Sequence, residues 1–260
     1  MSTNETKRDG QPDRPLDVQR YFGQHAHDYA KSERHARGAD LARLLAALEL
    51  TPGQRALDLA TGPGHVAFRL AERGLAVTAA DLTPEMLAVA RAAEPERALP
   101  HPITWIQADA ARLPCEPGQF DTVVCRRAAH HFPNLPQVLR ESRRVLKPGG
   151  RLGISDMTAP AASIDALNDL ERLRDHSHVA AQTVDQWVGH LLSADFRLQW
   201  LELTVEPMTR EQWLSPVTPD SPEGQAAFQR MDRWPDAVRH ALFPDDTFLK
   251  YRVLLVAARP

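Results

Sequence analysis

The sequence predicts an α/β protein, doubly wound around a mostly parallel seven-stranded sheet. Three observations lead there. Between Arg55 and Asp156, apolar runs of strand length alternate with segments of helical periodicity, and strands joined through helices form parallel sheets. The segment 57–64, Leu-Asp-Leu-Ala-Thr-Gly-Pro-Gly, runs a strand into a glycine turn that opens a helix. Acidic residues stand at the ends of three successive strands, at Asp58, Asp81 and Asp109.

Each element has its own signal. Residues 1–15 are polar, carry Pro12 and Pro15, and read as a disordered tail. From Val18 to Leu50 apolar positions recur at helical spacing, clearest at Leu41, Leu44, Leu45 and Leu48, with Thr51-Pro52-Gly53 as the stop. Strands are expected at Arg55–Leu59, Ala76–Ala80, Ile103–Gln107, Thr122–Arg126, Arg151–Asp156, Arg197–Val205 and Phe248–Ala257. Helices are expected at Gly64–Arg73, Pro84–Ala93, Leu135–Leu146, Ala161–Asp175 and Val184–Ala194. Lys147-Pro148-Gly149-Gly150 ends the third of these, since proline and paired glycines cannot continue a helix. Prolines at Pro207, Pro216, Pro219, Pro222 and Pro235 make residues 206–247 read as an irregular insertion.

Composition narrows the function. The formal net charge is −3, so no basic field favours a phosphate backbone, and nucleic acid is not an expected partner. Hydrophobic residues at 43% and charged residues at 25% are those of a folded globular chain. No apolar run reaches the roughly 18 residues of a membrane span, and the first ten residues lack a signal peptide's apolar stretch. A cytoplasmic protein, monomeric or homodimeric, is expected. Cys115 and Cys125 have no metal-ligand spacing and read as buried thiols rather than a disulfide; no metal is expected.

The chemistry concentrates on the crevice above the strand ends, where open α/β sheets bind ligands. Gly62 and Gly64 allow close backbone approach, and free N–H groups at the helix start favour a carboxylate or phosphate. A plain strand-to-helix turn satisfies the same pattern. Asp58 adds information, because a buried carboxylate is expensive unless a cation or donor faces it; a ligand ammonium would answer that need. Asp81 stands at the spacing of a carboxylate that grips ribose hydroxyls, or else caps the helix that begins at Thr83-Pro84-Glu85. Asp109 is placed to accept from an adenine amino group.

Together with Ala80-Asp-Leu-Thr-Pro-Glu-Met-Leu87, Ala108-Asp-Ala-Ala-Arg-Leu-Pro114, Phe120-Asp-Thr-Val-Val-Cys-Arg126 and Arg144-Val-Leu-Lys-Pro-Gly-Gly-Arg-Leu152, segment 57–64 resembles the class I S-adenosylmethionine-dependent methyltransferases. The resembling branch includes the ubiquinone and menaquinone biosynthesis C-methyltransferases, and the match runs from about Gln19 to Asp156. The resemblance implies a Rossmann-like methyltransferase fold with an antiparallel last strand and a helical cap. It implies S-adenosylmethionine as cofactor, with Asp58 and the Gly62–Gly64 turn on the methionine part, Asp81 on the ribose, Asp109 on the adenine, and Ala60 among the cofactor-binding residues. Leu82 and Ala110 would line the base, and Arg126 is also assigned to the cofactor. The family often has glycine at the position of Ala60. Residues 16–50 would form a helical lid with Tyr21, Phe22 and Tyr29 as contacts, 51–160 the cofactor-binding core, and 161–260 the rest of the sheet. Insertions 161–181 and 206–247 would roof the acceptor pocket, where Trp213, Trp234, Phe228 and Met231 either line the site or form only the core of the cap or a dimer contact.

A nicotinamide-dependent dehydrogenase shares the glycine pattern. Asp58 argues against it, because pyrophosphate brings negative charge to this turn whereas the cofactor's aminoacyl end brings an ammonium. His130 and His131 are the candidate bases for deprotonating an acceptor, and as neighbours on an extended segment only one should face the substrate. A structural role for both stays open. The expected activity is methyl transfer to a small organic acceptor, aromatic, quinone-like or a secondary metabolite. Alternatives are a cyclase or isomerase that leaves the cofactor intact, and a non-catalytic binding protein.

Overall fold

A computed structural model describes residues 14–31, 36 and 38–260; most of the expected tail, 1–15, lies outside the described residues. Among the described residues, helices α1 (Arg14–Lys31) and α2 (Ala39–Ala47) precede an alternating core. Its elements are β1 (Arg55–Leu59), α3 (His65–Ala71), β2 (Ala76–Asp81), α4 (Pro84–Ala93), β3 (Thr104–Gln107), β4 (Phe120–Arg126), α5 (Leu135–Val145) and β5 (Leu146–Thr158). Then follow α6 (Ile164–Arg174), α7 (Val184–Ser193), β6 (Arg197–Met208), α8 (Arg210–Leu214), α9 (Pro222–Asp232), α10 (Asp236–Leu242) and β7 (Phe248–Ala258).

The seven strands form one sheet in the order β3-β2-β1-β4-β5-β7-β6. The first five pair in parallel, whereas β7 runs antiparallel to both β5 and β6. Both faces are covered, as the near-continuous burial of β1 and β4 requires. Leu41, Leu44 and Leu45 of α2 pack with Val66, Phe68 and Leu70 of α3 on one face. On the other, Leu135, Val138 and Leu139 of α5 meet Trp187 and Leu191 of α7. The stop at 147–150 is extended rather than a separate turn, but regular pairing of β5 with β4 resumes at Arg151, after a register shift.

Residues 206–247 correct the expectation of irregular structure. They hold α8, α9 and α10, with Trp213, Leu214, Ala227, Met231 and Trp234 in a third core. Thr209 closes a capping box with Gln212, and Ser221 accepts from the Gly224 N–H ahead of Pro222 in the first turn of α9. Proline opens this helix, because the N–H it lacks has no intrahelical partner there. No helix among the described residues is long and apolar enough to cross a membrane. Both cysteines are free thiols, Cys125 buried and Cys115 only partly.

Candidate active site

A cavity of about 520 Å³ lies at the carboxyl ends of the parallel strands. Asp58, Asp81 and Asp109 all stand on its wall, from the adjacent strands β1 and β2 and the loop after β3. Ala60, Gly62, Leu82, Ala110, Arg126 and Tyr29 line it too, as do both candidate histidines.

Asp58 is 1% exposed. Its Oδ2 accepts from Thr61 Oγ1 at 2.5 Å and from the Ala67 N–H at 2.9 Å, and no donor among the described residues reaches Oδ1. Burial pushes this carboxyl up to about 7. A cationic group at Oδ1 would stabilise the charged form.

The turn beyond it is left-handed three times, with φ +54° at Ala60, +53° at Gly62 and +87° at Gly64. The family's frequent glycine in place of Ala60 thus has a backbone reason, since this conformation costs an L-residue about 1–2 kcal/mol. A Cβ at Gly62 would meet no atom within 4 Å, so the turn leaves room for a ligand. Gly64 does not line the cavity, and a Cβ there would fall 2.9 Å from both Phe68 and Trp105. It is glycine for packing and for its φ. Gly64→Ala is expected to destabilise the fold by about 1–3 kcal/mol, measured by urea unfolding.

Asp81 takes the helix-capping one of its two readings. Its Oδ2 accepts from the Gly62 N–H at 2.7 Å and its Oδ1 from the Thr83 N–H at 2.8 Å, tying the glycine turn to the start of α4. Thr83, the N-cap, makes no capping bond with its own side chain. A carboxylate has about four acceptor positions, so hydroxyl donors can still be received from the cavity. Asp81→Ala is expected to weaken cofactor binding by about 1–3 kcal/mol in calorimetry. Asp109 is exposed and accepts from the Ala111 N–H at 2.8 Å through Oδ1.

At the end of β4, Arg126 makes a two-pronged pair with Asp40 of α2, Nε to Oδ2 at 2.7 Å and Nη2 to Oδ1 at 2.8 Å. Arg127, at φ +56°, also donates to Asp40 at 2.8 Å, Ser155 Oγ donates at 2.9 Å, and Arg252 Nε stands 3.9 Å away. Burial opposes ionisation of Asp40, but the arginines outweigh it and hold the carboxyl well below the usual range. Asp40 carries no local sequence signal, because its partners lie far along the chain.

The histidines correct another expectation. Ala129–His131 is a 3-10 turn rather than an extended segment, so both rings reach the cavity, 4.1 Å apart. Asp156 grips His130 twice, accepting from its backbone N–H at 3.1 Å and from Nδ1 at 2.5 Å. Burial would raise Asp156, yet His130 holds it below the ordinary carboxylate value. An ionised carboxylate only accepts, so Nδ1 carries the proton and Nε2 is the basic atom. His131 is tied differently, with Nδ1 donating to the Ser177 carbonyl at 3.2 Å. Burial and the neighbouring His130 push His131 down to about 4, and burial lowers His178, whose ring centre is 5.5 Å from that of His130, to about 3. Both are neutral at pH 7.

Helix α1 lies along α4, and Gln19 Nε2 donates to the Leu82 carbonyl at 2.9 Å. Phe22 meets His131 edge-on at 4.9 Å, while the Tyr29 carbonyl is 3.1 Å from His65 Nε2. Phe22 and Tyr29 line the cavity; Tyr21 does not, and packs instead on Phe22 and His25. Trp213, Ser215 and Pro216 face the cavity from the insertion, with Arg174 and Asp175 from the end of α6. Trp234, Phe228 and Met231 follow the second of their two readings and pack into the insertion's own core.

Fold and site together define a class I methyltransferase. A methyltransferase domain model matches residues 57–154. The uncharacterized methyltransferase YcgJ of Bacillus subtilis is 30% identical over 195 residues, 74% of this chain and 77% of that protein. The crystal structure of YcgJ gives a TM-score of 0.78 at 25% identity, covering 85% of this chain and 97% of that one. The 27-O-demethylrifamycin SV methyltransferase of Amycolatopsis mediterranei is 29% identical over 224 residues, 84% of this chain and 82% of that protein. The demethylmenaquinone methyltransferase of Thermus thermophilus is 42% identical over 152 residues, 58% of this chain and 64% of that protein.

The chain belongs to the class I S-adenosylmethionine-dependent methyltransferases. Its cofactor is S-adenosylmethionine, and the Asp58 Oδ1 atom, the open side of Gly62 and the remaining acceptor positions of Asp81 fit that group.

Proposed function

We propose that this enzyme methylates a small aromatic or quinone-like acceptor, with His130 as the base that removes the acceptor's proton. The observation that carries the reading is the His130–Asp156 pair on the wall of the cavity that Asp58, Asp81 and Asp109 also line. The names of two relatives, acting on a rifamycin and a menaquinone precursor, support the acceptor class.

S-adenosylmethionine supplies a methyl group on a sulfonium, ready for direct displacement. The protein's part is alignment and proton removal. Asp58 would hold the cofactor's ammonium, Asp81 its ribose hydroxyls and Asp109 its adenine amino group, with Leu82 and Ala110 against the base. Asp156 fixes the His130 tautomer and stabilises the imidazolium formed when Nε2 takes the proton. His131, neutral and tied to Ser177, packs beside His130 and sets its position. Phe22, Tyr29 and Trp213 shield the reacting groups from water, which strengthens electrostatic interactions inside.

The test uses methyl-labelled S-adenosylmethionine with 1,4-dihydroxynaphthalene and catechol as acceptors. Label is expected in the acceptor, with equimolar S-adenosylhomocysteine. A rearranged acceptor beside intact cofactor would contradict the proposal.

A further inference from the structure

Beside His130 the cavity wall carries two hydrogen-bond acceptors that face each other. One belongs to Asp175, which follows α6 and is 4% exposed. Its Oδ1 accepts from the Ser177 N–H at 2.9 Å and from Ser177 Oγ at 2.5 Å. No donor among the described residues reaches its Oδ2, which stands 4.0 Å from His131 Nε2, beyond hydrogen-bond reach. The ring cannot supply the missing proton. Ser177 gives its hydroxyl proton to Asp175 and its carbonyl only accepts, so these two oxygens, 3.1 and 3.2 Å from His131 Nδ1, require the ring proton on Nδ1. Burial and the neighbouring His130 keep this ring neutral at pH 7, which leaves Nε2 as a bare lone pair. Both residues line the cavity, and neither acceptor atom is sealed from it. A buried acceptor without a donor is unfavourable, and here a ligand hydrogen can answer two at once.

We infer that the acceptor carries, next to the group that is methylated, a second hydroxyl, whose hydrogen is received between Asp175 Oδ2 and His131 Nε2. This rests on the methyl-transfer reading with His130 as base. A hydrogen placed between acceptors 4.0 Å apart serves both as a three-centre bond. The rings of His130 and His131 are 4.1 Å apart, so the group that meets His131 sits beside the one that meets His130 Nε2. The two groups belong on neighbouring atoms of the acceptor.

The surroundings select a neutral donor over an ammonium. Arg174, next to Asp175 in the chain, lines the same wall and binds Glu171 at 2.6 Å. Lys250 of β7 lines it too; it acts on Glu171 as well, and Glu206 stands across from it on β6. Two cations thus already stand on the wall that Asp175 shares, and a ligand ammonium would meet their repulsion. A hydroxyl brings the hydrogen without the charge.

The test titrates protein saturated with S-adenosylhomocysteine, by calorimetry at pH 7, with catechol, phenol and 2-(aminomethyl)phenol. Catechol is expected to bind about tenfold or more tighter than phenol, through a hydrogen bond to a charged acceptor, and 2-(aminomethyl)phenol to bind less tightly than catechol. In Asp175→Asn the two bonds from Ser177 keep the amide oxygen at the Oδ1 position, so an NH₂ donor replaces the Oδ2 acceptor. The preference for catechol over phenol should then fall to about threefold or less, with the affinities for phenol and S-adenosylhomocysteine kept. If that variant fails to fold, His131→Asn decides by the same measure, because its amide N–H can replace Nδ1 toward Ser177 while Nε2 is lost. Equal or undetectable binding of catechol and phenol, tighter binding of 2-(aminomethyl)phenol than of catechol, or a preference that survives the substitution overturns the inference and leaves methyl transfer itself standing. Failure of the wild type to bind S-adenosylhomocysteine would overturn the methyl-transfer reading and the inference with it.

Discussion

His130→Ala is expected to lower kcat by about 10²- to 10⁴-fold, the usual range for losing a positioned general base. The affinity for S-adenosylhomocysteine should stay close to wild type. The acids proposed to hold the cofactor lie on the β1–β3 side of the crevice, whereas His130 is anchored by Asp156 on β5. Asp156→Asn should lower kcat less, because an amide can still accept from Nδ1 but no longer stabilises the imidazolium by charge. Steady-state rates and calorimetry on the same preparations make the comparison. A parallel collapse of cofactor affinity in His130→Ala would show that the ring serves packing, through its 4.1 Å contact with His131, rather than chemistry.

Asp58→Asn is expected to weaken cofactor binding by about 10- to 150-fold, as removal of a buried charge-assisted contact implies. It should also remove a pH dependence. Burial raises the Asp58 carboxyl to about 7 in the free protein, and a bound ammonium favours the ionised form, so the complex holds this group at a lower pKa. Affinity is therefore full above pH 7 and falls by about tenfold per unit as the pH drops below it, until the complex itself protonates. In Asp58→Asn the profile should be flat. Calorimetric titration with S-adenosylhomocysteine from pH 5.5 to 8.5 reads both effects, and an unchanged profile would remove Asp58 from the ammonium site.

Most of the sheet is legible in the chain because every parallel strand is a short apolar run closed by a turn, and each acid sits where the strand gives out. The expected order of strands and helices from Arg55 to Asp156 matches the structure within a few residues, apart from the stop at 147–150. The insertion at 206–247 was harder to read. Its helices are short, and their starts are written in Thr209, Gln212, Ser221 and Pro222, signals that a count of prolines obscures. Pairing rules for extended chain misplace His130 and His131, since one 3-10 turn is enough to bring both rings to the same side. Asp40, Lys250 and Arg252 have no local mark at all. Asp40 meets Arg126 only when α2 docks on the sheet, and the β7 cations reach the crevice only because that strand runs backwards.

A crystal structure with S-adenosylhomocysteine tests the placement of the three acids most directly. The ribose hydroxyls should lie within about 3 Å of the Asp81 carboxylate, with the ammonium at Asp58 Oδ1 and the adenine amino group at Asp109. A nucleoside bound in the β7 half of the cavity, with Asp58 and Asp81 facing only protein, would contradict it.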